Sequence, residues 1–195
     1  MNLQTPKKFK LLIDQAHEVA LNVLRPISRK YDKAEHAYPI ELDMLASVVD
    51  GMNQGSEGMN AGAAVNKRGD ADSSNKNGIN MSTALSIIEM CYGDTGLLLS
   101  MPRQGLGNSA IAAVANEEQL QRFHETWAAM AITESGCGSD SAAIRTTATK
   151  DGDDYILNGE KIFVTSGDRA DAVVVWATLD KKLGRSAIKS FVVTK

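Results

Sequence analysis

Apolar residues change their spacing once along this chain, and that change limits the fold more than any other feature. From Phe9 to about residue 126, apart from 51–80, they recur at three- and four-residue intervals. After Asp140 they alternate or run as short unbroken stretches. A helical segment followed by a strand segment predicts an α+β chain by segment, not alternating βαβ units. The expected domains are all-α over 1–127 and an antiparallel β-domain, incomplete, over 128–195.

In the first part, Thr5-Pro6 is a helix start. Phe9, Leu12, Ile13, Ala16, Val19, Ala20, Val23, Leu24 and Ile27 then form one apolar face. Its polar side mixes signs (Asp14, Glu18, Arg25, Arg29), which favours core packing over a membrane surface. Pro26 lacks a backbone donor and is expected to kink or end the helix. Further helices are expected from Ile40 to about Val49, from Met81 to Tyr92 before Gly93-Asp94, from Thr95 onward, and from Glu117 to about Thr126. Asn116 and Gln119 have capping-box spacing ahead of the last. Residues 51–80 carry six Gly and six Asn with almost nothing large and apolar, and are expected to be a flexible loop.

Gly105-Leu106-Gly107-Asn108-Ser109-Ala110 fits the bare G-x-G-x-x-A pattern, but no strand precedes it, as a dinucleotide site requires. The better reading is small residues that let two helices approach closely. The formal charge of −3 over 195 residues gives no electrostatic reason to bind nucleic acid. No apolar run reaches the ~20 residues of a membrane span. The start MNLQTPKKFK has no secretory apolar core behind it. Cys91 and Cys137 fit neither a disulfide framework nor a zinc spacing, and His17, His36 and His124 lack ligand spacing. No metal site is expected, and a reducing cytoplasm is. Glu57, Glu89 and Glu125 have no evident partner in the sequence.

In the second part, strands are expected over Ile144–Thr149 and Tyr155–Leu157, with a turn at Asp151-Gly152. Asn158-Gly159 reads as a hairpin turn, with Lys161–Thr165 as the returning strand. Ala172–Thr178 and Ile188–Thr194 read as two more strands. Two stretches carry the chemistry. Met130–Asp140 (MAITESGCGSD) passes from apolar residues into a polar glycine loop whose N–H groups can approach a phosphate. Gly159–Gly167 (GEKIFVTSG) would, as a strand, put Phe163 and Thr165 on one face, an aromatic ring and a hydroxyl toward one flat ligand.

Ala131-Ile132-Thr133-Glu134, Gly138-Ser139-Asp140 and Gly159-Glu160-Lys161-Ile162-Phe163-Val164-Thr165 together resemble the paired signature of the acyl-CoA dehydrogenase family. Arg25-Pro26, Tyr31-Asp32 and Tyr38-Pro39 look like its first helical hairpin, and Asn116-Glu117-Glu118-Gln119 resembles its G-T-E-E-Q. The resemblance spans nearly all of the chain, but only about the first half of a typical member. It implies FAD as cofactor and α,β-dehydrogenation of an acyl-CoA thioester, with hydride passing to flavin N5. An electron-transfer flavoprotein or similar acceptor, and a homo- or hetero-oligomer at full length, are also implied.

By the same resemblance, Thr133 donates to the pyrimidine side of the flavin, Phe163 packs on the ring, and Thr165 sits near N5. Met130, Ile132 and Val164 border the ring. Gly138 and Ser139 meet the pyrophosphate, with Ser139 also near the CoA portion of the substrate. The catalytic base is expected outside this chain, in the family's C-terminal bundle, and Glu134 is read as structural. Residues 51–80 depart from the family's compact P-E-x-x-G-G turn, the Phe123–Thr133 connection is shorter, and Ser135 stands where many members have Pro. Two alternatives stay open: a non-catalytic truncated or split subunit that needs a partner chain, and a flavin monooxygenase or acyl-CoA oxidase on the same scaffold.

Overall fold

The computed structural model describes residues 6–53, 79–102 and 106–195. The expected loop over 51–80, the Thr5 cap, Glu57 and Gly105 fall largely or wholly outside them. Contacts divide the chain into two compact units. Among the described residues the first gathers 6–48 and 79–101, and the second gathers 49–53, 102 and 106–195.

The first unit is helical. Of the two outcomes expected at Pro26, a kink or an end, the helix that begins as α1 (Lys10–Val19) does not end there. It passes through a π-helical turn, Ala20–Leu24, into α2 (Arg25–Lys33), and the backbone stays right-handed helical at Ala20 and Arg25. A proline ring crowds the carbonyl four residues earlier, here that of Asn22, and the wider π turn relieves that conflict without breaking the helix. Ala20 and Leu24 on that turn are fully buried. Helix α3 (Ile40–Asn53) adds Leu42, Leu45 and Ala46 to the buried set.

Helix α4 (Ile79–Gly93) runs against the π turn. A Cβ on Gly93 would sit 2.8 Å from Ala20 O and 2.9 Å from Leu24 Cβ, so this helix end approaches as closely as it does because it carries glycine. Asp94 then caps the short helix α5 (Thr95–Leu99): its Oδ1 accepts from Leu97 N at 2.8 Å, and Ser28 Oγ donates to its Oδ2. His17 and Glu89 do have a partner: each other, at 2.7 Å, with the His17 ring stacked on Tyr92.

The second unit sets helices against a sheet. Helix α6 (Leu106–Val114) and helix α7 (Glu117–Phe123) place Ile111 and Phe123 in one buried cluster with Ala128, Ala172 and Val174. The Asn116–Gln119 capping box forms as expected, with reciprocal bonds of 2.9 and 3.0 Å. Gly107 does allow a close approach, but to a strand, not to another helix. A Cβ there would lie 2.4 Å from the carbonyl oxygens of both Ala128 and Ala129. Beside it, Asn108 is buried and bridges Thr126 O (2.6 Å) and Ala128 N (3.0 Å).

The sheet has strands β1 (Ala128–Ala131), β2 (Thr147–Asp151), β3 (Asp154–Asn158), β4 (Ala172–Thr178) and β5 (Ile188–Thr194). Helices followed by a sheet are the expected architecture, but the sheet is mixed, not purely antiparallel. β2–β3 and β4–β5 pair antiparallel, while β1 pairs parallel with β4 from Ala128↔Ala172 to Ala131↔Val175, and β2 meets β4 in parallel at Thr147↔Thr178. β4, with its buried Ala172, Val174 and Ala177, is therefore flanked along both edges, as its unbroken apolar sequence requires.

The hairpin expected at Asn158-Gly159 is not formed. The β2–β3 turn is at Asp151–Asp154, with Gly152 at φ 60°, and residues 159–164 are irregular, not a returning strand. Gly159 serves a different purpose. A Cβ on it would lie 2.4 Å from Thr146 Oγ1 and 2.7 Å from Thr146 Cα, so glycine lets the two segments touch.

Candidate functional site

The site grows from the end of β1. The chain leaves Ala131, crosses residues 132–146 and rejoins the sheet at Thr147. Glu134 and Cys137 close a tight turn by two backbone bonds, Glu134 N to Cys137 O (3.0 Å) and Cys137 N to Glu134 O (3.2 Å). Ser135, Gly136, Gly138, Ser139 and Asp140 lie exposed on and after that turn. Ser141–Ala143 then forms one helical turn, held by Ala143 N donating to Asp140 O at 3.0 Å.

The Glu134 carboxylate fastens this loop from within. The residue is 8% exposed. Its Oε2 accepts from Arg145 N at 2.7 Å, and its Oε1 accepts from Thr146 N (2.9 Å), Thr146 Oγ1 (2.6 Å) and Lys161 Nζ (2.8 Å). Burial pushes the carboxyl group upward, but the Lys161 ammonium, the Thr146 hydroxyl and the two backbone donors outweigh it and hold it at about 2. A carboxylate so fully paired is a poor proton acceptor, which agrees with a structural role. Lys161 Nζ also donates to Ile132 O at 2.9 Å, and Ile162 N donates to Thr133 O at 2.9 Å. Residues 161–162 are thereby laced to 132–134.

That lacing sets Ile132 and Thr133 beside Lys161 and Ile162, one residue before Phe163 in the chain. Met130, Ile132, Thr133 and Val164 are half-buried, while Gly138, Ser139, Phe163 and Thr165 are exposed. Phe163 and Thr165 are not neighbours on a strand face, because the backbone turns at Phe163 (φ 55°) and Ser166 (φ 57°). Phe163 stands 87% exposed despite that unfavourable conformation. The turn closes with Gly167 N to Val164 O at 3.0 Å and Ala170 N to Ser166 O at 2.9 Å.

Several groups are left for a ligand. Among the described residues the Thr133 N–H and hydroxyl and the Thr165 hydroxyl make no protein hydrogen bond. Ser166 Oγ and Trp176 Nε1 are buried without a partner. A cavity of about 380 Å³ is lined by Ile132, Ser141, Ile144, Trp176 and Arg185 among others. An exposed aromatic ring, donors without protein partners and an exposed glycine-containing turn are groups that a flat heteroaromatic ligand with an anionic tail can use. Sequence reasoning assigned nothing to Ser141, Trp176 or Arg185, and no motif marks them. Lys161 stands in the signature with no expected task, although a lysine among apolar residues is itself a signal for a buried partner. No cluster of His, Cys, Asp or Glu able to hold a metal occurs among the described residues.

Comparison with known proteins agrees with this geometry. Residues 129–195 match the sequence model of the acyl-CoA dehydrogenase middle domain. A short-chain-specific acyl-CoA dehydrogenase of Clostridium acetobutylicum is 30% identical over all of this chain and half of its own length. A cyclohex-1-ene-1-carbonyl-CoA dehydrogenase of Syntrophus aciditrophicus is 30% identical over 95% of this chain and 43% of its own. Butyryl-CoA dehydrogenase from Megasphaera elsdenii superposes with a TM-score of 0.75 at 25% identity, covering all of this chain and half of the other. The chain is therefore a partial relative of the acyl-CoA dehydrogenases, and it spans about half the length of the relatives that it matches end to end.

Proposed function

We propose that this chain forms the flavin-facing part of an FAD-dependent oxidoreductase that removes the α and β hydrogens of an acyl-CoA thioester. The observation that supports this best is the laced loop. Residues 132–134, held rigid by Glu134 and Lys161, leave the donors of Thr133 free beside an exposed Phe163. FAD, when bound, supplies the hydride acceptor. The residues of the chain do the rest. Thr133 and Thr165 orient the ring, Phe163 covers a face of it and keeps water away, and Gly138 and Ser139 admit the pyrophosphate. Ser139 also borders the CoA portion of the substrate.

The proton-abstracting base lies outside the described residues in this reading, since Glu134, the buried carboxylate of the loop, is already fully engaged. This motivates a second reading, in which the chain binds FAD or CoA and relies on another chain for the base. The acceptor of the reducing equivalents is proposed to be an electron-transfer flavoprotein. A structure described as the electron-transferring flavoprotein of Acidaminococcus fermentans superposes at a TM-score of 0.69 and 28% identity.

The test is spectroscopic. The purified protein is loaded with FAD and mixed anaerobically with a panel of saturated acyl-CoA thioesters. Bleaching of the flavin band with formation of the enoyl-CoA supports dehydrogenation. FAD binding without bleaching supports the second reading, a folded protein that takes up no flavin sinks the first, and one that binds neither FAD nor CoA sinks both.

A further inference from the structure

Lys161 carries a buried charge that flavin binding by Thr133 and Phe163 does not use. Its side chain is 9% exposed, and its ammonium divides itself between Glu134 Oε1 and the carbonyl oxygen of Ile132. That carbonyl belongs to the same amide group as the Thr133 N–H. A cation bonded to an amide oxygen draws electron density toward it and leaves the amide N–H a stronger donor. The Thr133 N–H is free of protein partners among the described residues.

We propose that Lys161 is a positioning residue that polarises the Ile132–Thr133 peptide, so that this loop offers a strengthened donor to the electron-rich edge of the reduced flavin. The inference rests on the flavin-binding reading above. Glu134 is the anchor of the device. Its bonds to Arg145 N, Thr146 N and Thr146 Oγ1 fix the carboxylate, and the carboxylate keeps the ammonium on Ile132 O. Ile162 N, the next residue along, holds Thr133 O, the carbonyl of the following peptide, so the peptides on both sides of Thr133 are tied to residues 161–162. A strengthened donor favours the form of the ring with more negative charge, which is the reduced one. Lys161 therefore raises the preference for reduced over oxidised flavin.

The experiment compares the two-electron midpoint potential of FAD in the wild-type protein, K161R, E134Q and K161M/E134Q. The double variant keeps the summed charge of the pair at zero, removes the donor on Ile132 O, and leaves a glutamine oxygen to accept from Arg145 N and Thr146. It should lose roughly tenfold in preference for reduced flavin, which is a midpoint about 30 mV lower for a two-electron couple. K161R keeps a charged donor and should keep the midpoint. E134Q keeps an amide oxygen for the ammonium to bond, so the ammonium stays on Ile132 O without its counter-charge and the midpoint should hold or rise. A pair that serves stability alone would lower the melting temperature in the variants and leave the midpoint unchanged, which would overturn the inference. If the double variant does not fold, E134Q decides: a midpoint below wild type overturns it. A folded wild type that takes up no FAD overturns the functional reading and this inference together. FAD bound with one midpoint throughout overturns the inference alone.

Discussion

Replacing Glu134 by Gln should cost stability at neutral pH, and the cost should vanish in acid. The carboxylate accepts hydrogen bonds from Arg145 N, Thr146 N, Thr146 Oγ1 and Lys161 Nζ, and it sits at about 2 instead of the ordinary 4.5. A displacement of that size corresponds to about 3 kcal/mol of folding free energy. The folded-state value lies below the unfolded one. The contribution is therefore fully present above about pH 4.5 and is lost as the pH falls toward 2. Glutamine keeps an acceptor but no charge, so the variant should lose about 2–3 kcal/mol at pH 7. Urea unfolding of both proteins at pH 7, 5, 4 and 3 measures the difference. Glu41, whose carboxyl group the Lys30 ammonium and the Tyr31 hydroxyl also hold at about 2, titrates in both proteins and cancels. The reasoning fails if the variant matches wild type within about 0.5 kcal/mol at pH 7. It fails equally if the gap does not narrow between pH 5 and 3.

Two further substitutions separate packing from binding. Gly159→Ala forces a Cβ within 2.4 Å of Thr146 Oγ1 and should destabilise by about 1–3 kcal/mol, read as a lower thermal midpoint; an unchanged midpoint would contradict the close approach. Phe163→Ala should alter stability by less than about 0.5 kcal/mol because the ring is 87% exposed. It should nevertheless weaken FAD binding about three- to tenfold in a fluorescence titration, the range expected for a lost aromatic contact. Equal FAD affinity would remove Phe163 from the site.

Some of this structure was legible because one local signal decided it. β4 and β5 have the bounds read from sequence, since short runs rich in β-branched and aromatic residues (AVVVWAT and IKSFVVT) favour a strand. The capping box at Asn116 is equally local. Asn158-Gly159 misled because glycine answers two needs with the same letter. Here it meets a close approach to Thr146, not a hairpin turn. The parallel pairing of β1 with β4 was illegible, because nothing within either strand names its partner. Pro26 was read by its usual effect, and the π turn that absorbs it leaves no mark in the sequence. In the candidate site the loop and its neighbours were visible in the motif. The ion pair that fixes them was not, because Glu134 and Lys161 meet only once 132–134 and 161–162 lie side by side.

β1 and β2 follow one another along the same edge of β4, both parallel to it, ending at Val175 and resuming at Thr178. Three residues of strand separate those points, a neck of about 10 Å. Residues 132–146 are thus an Ω-shaped excursion from what would otherwise be one continuous strand, tied across its neck by Glu134. Register on either side is set by β4 and not by the excursion. The length and composition of the loop tip between Ser135 and Ala143 can therefore change without shifting a single pair in the sheet. Diversification of ligand preference and conservation of scaffold are, in this architecture, independent variables.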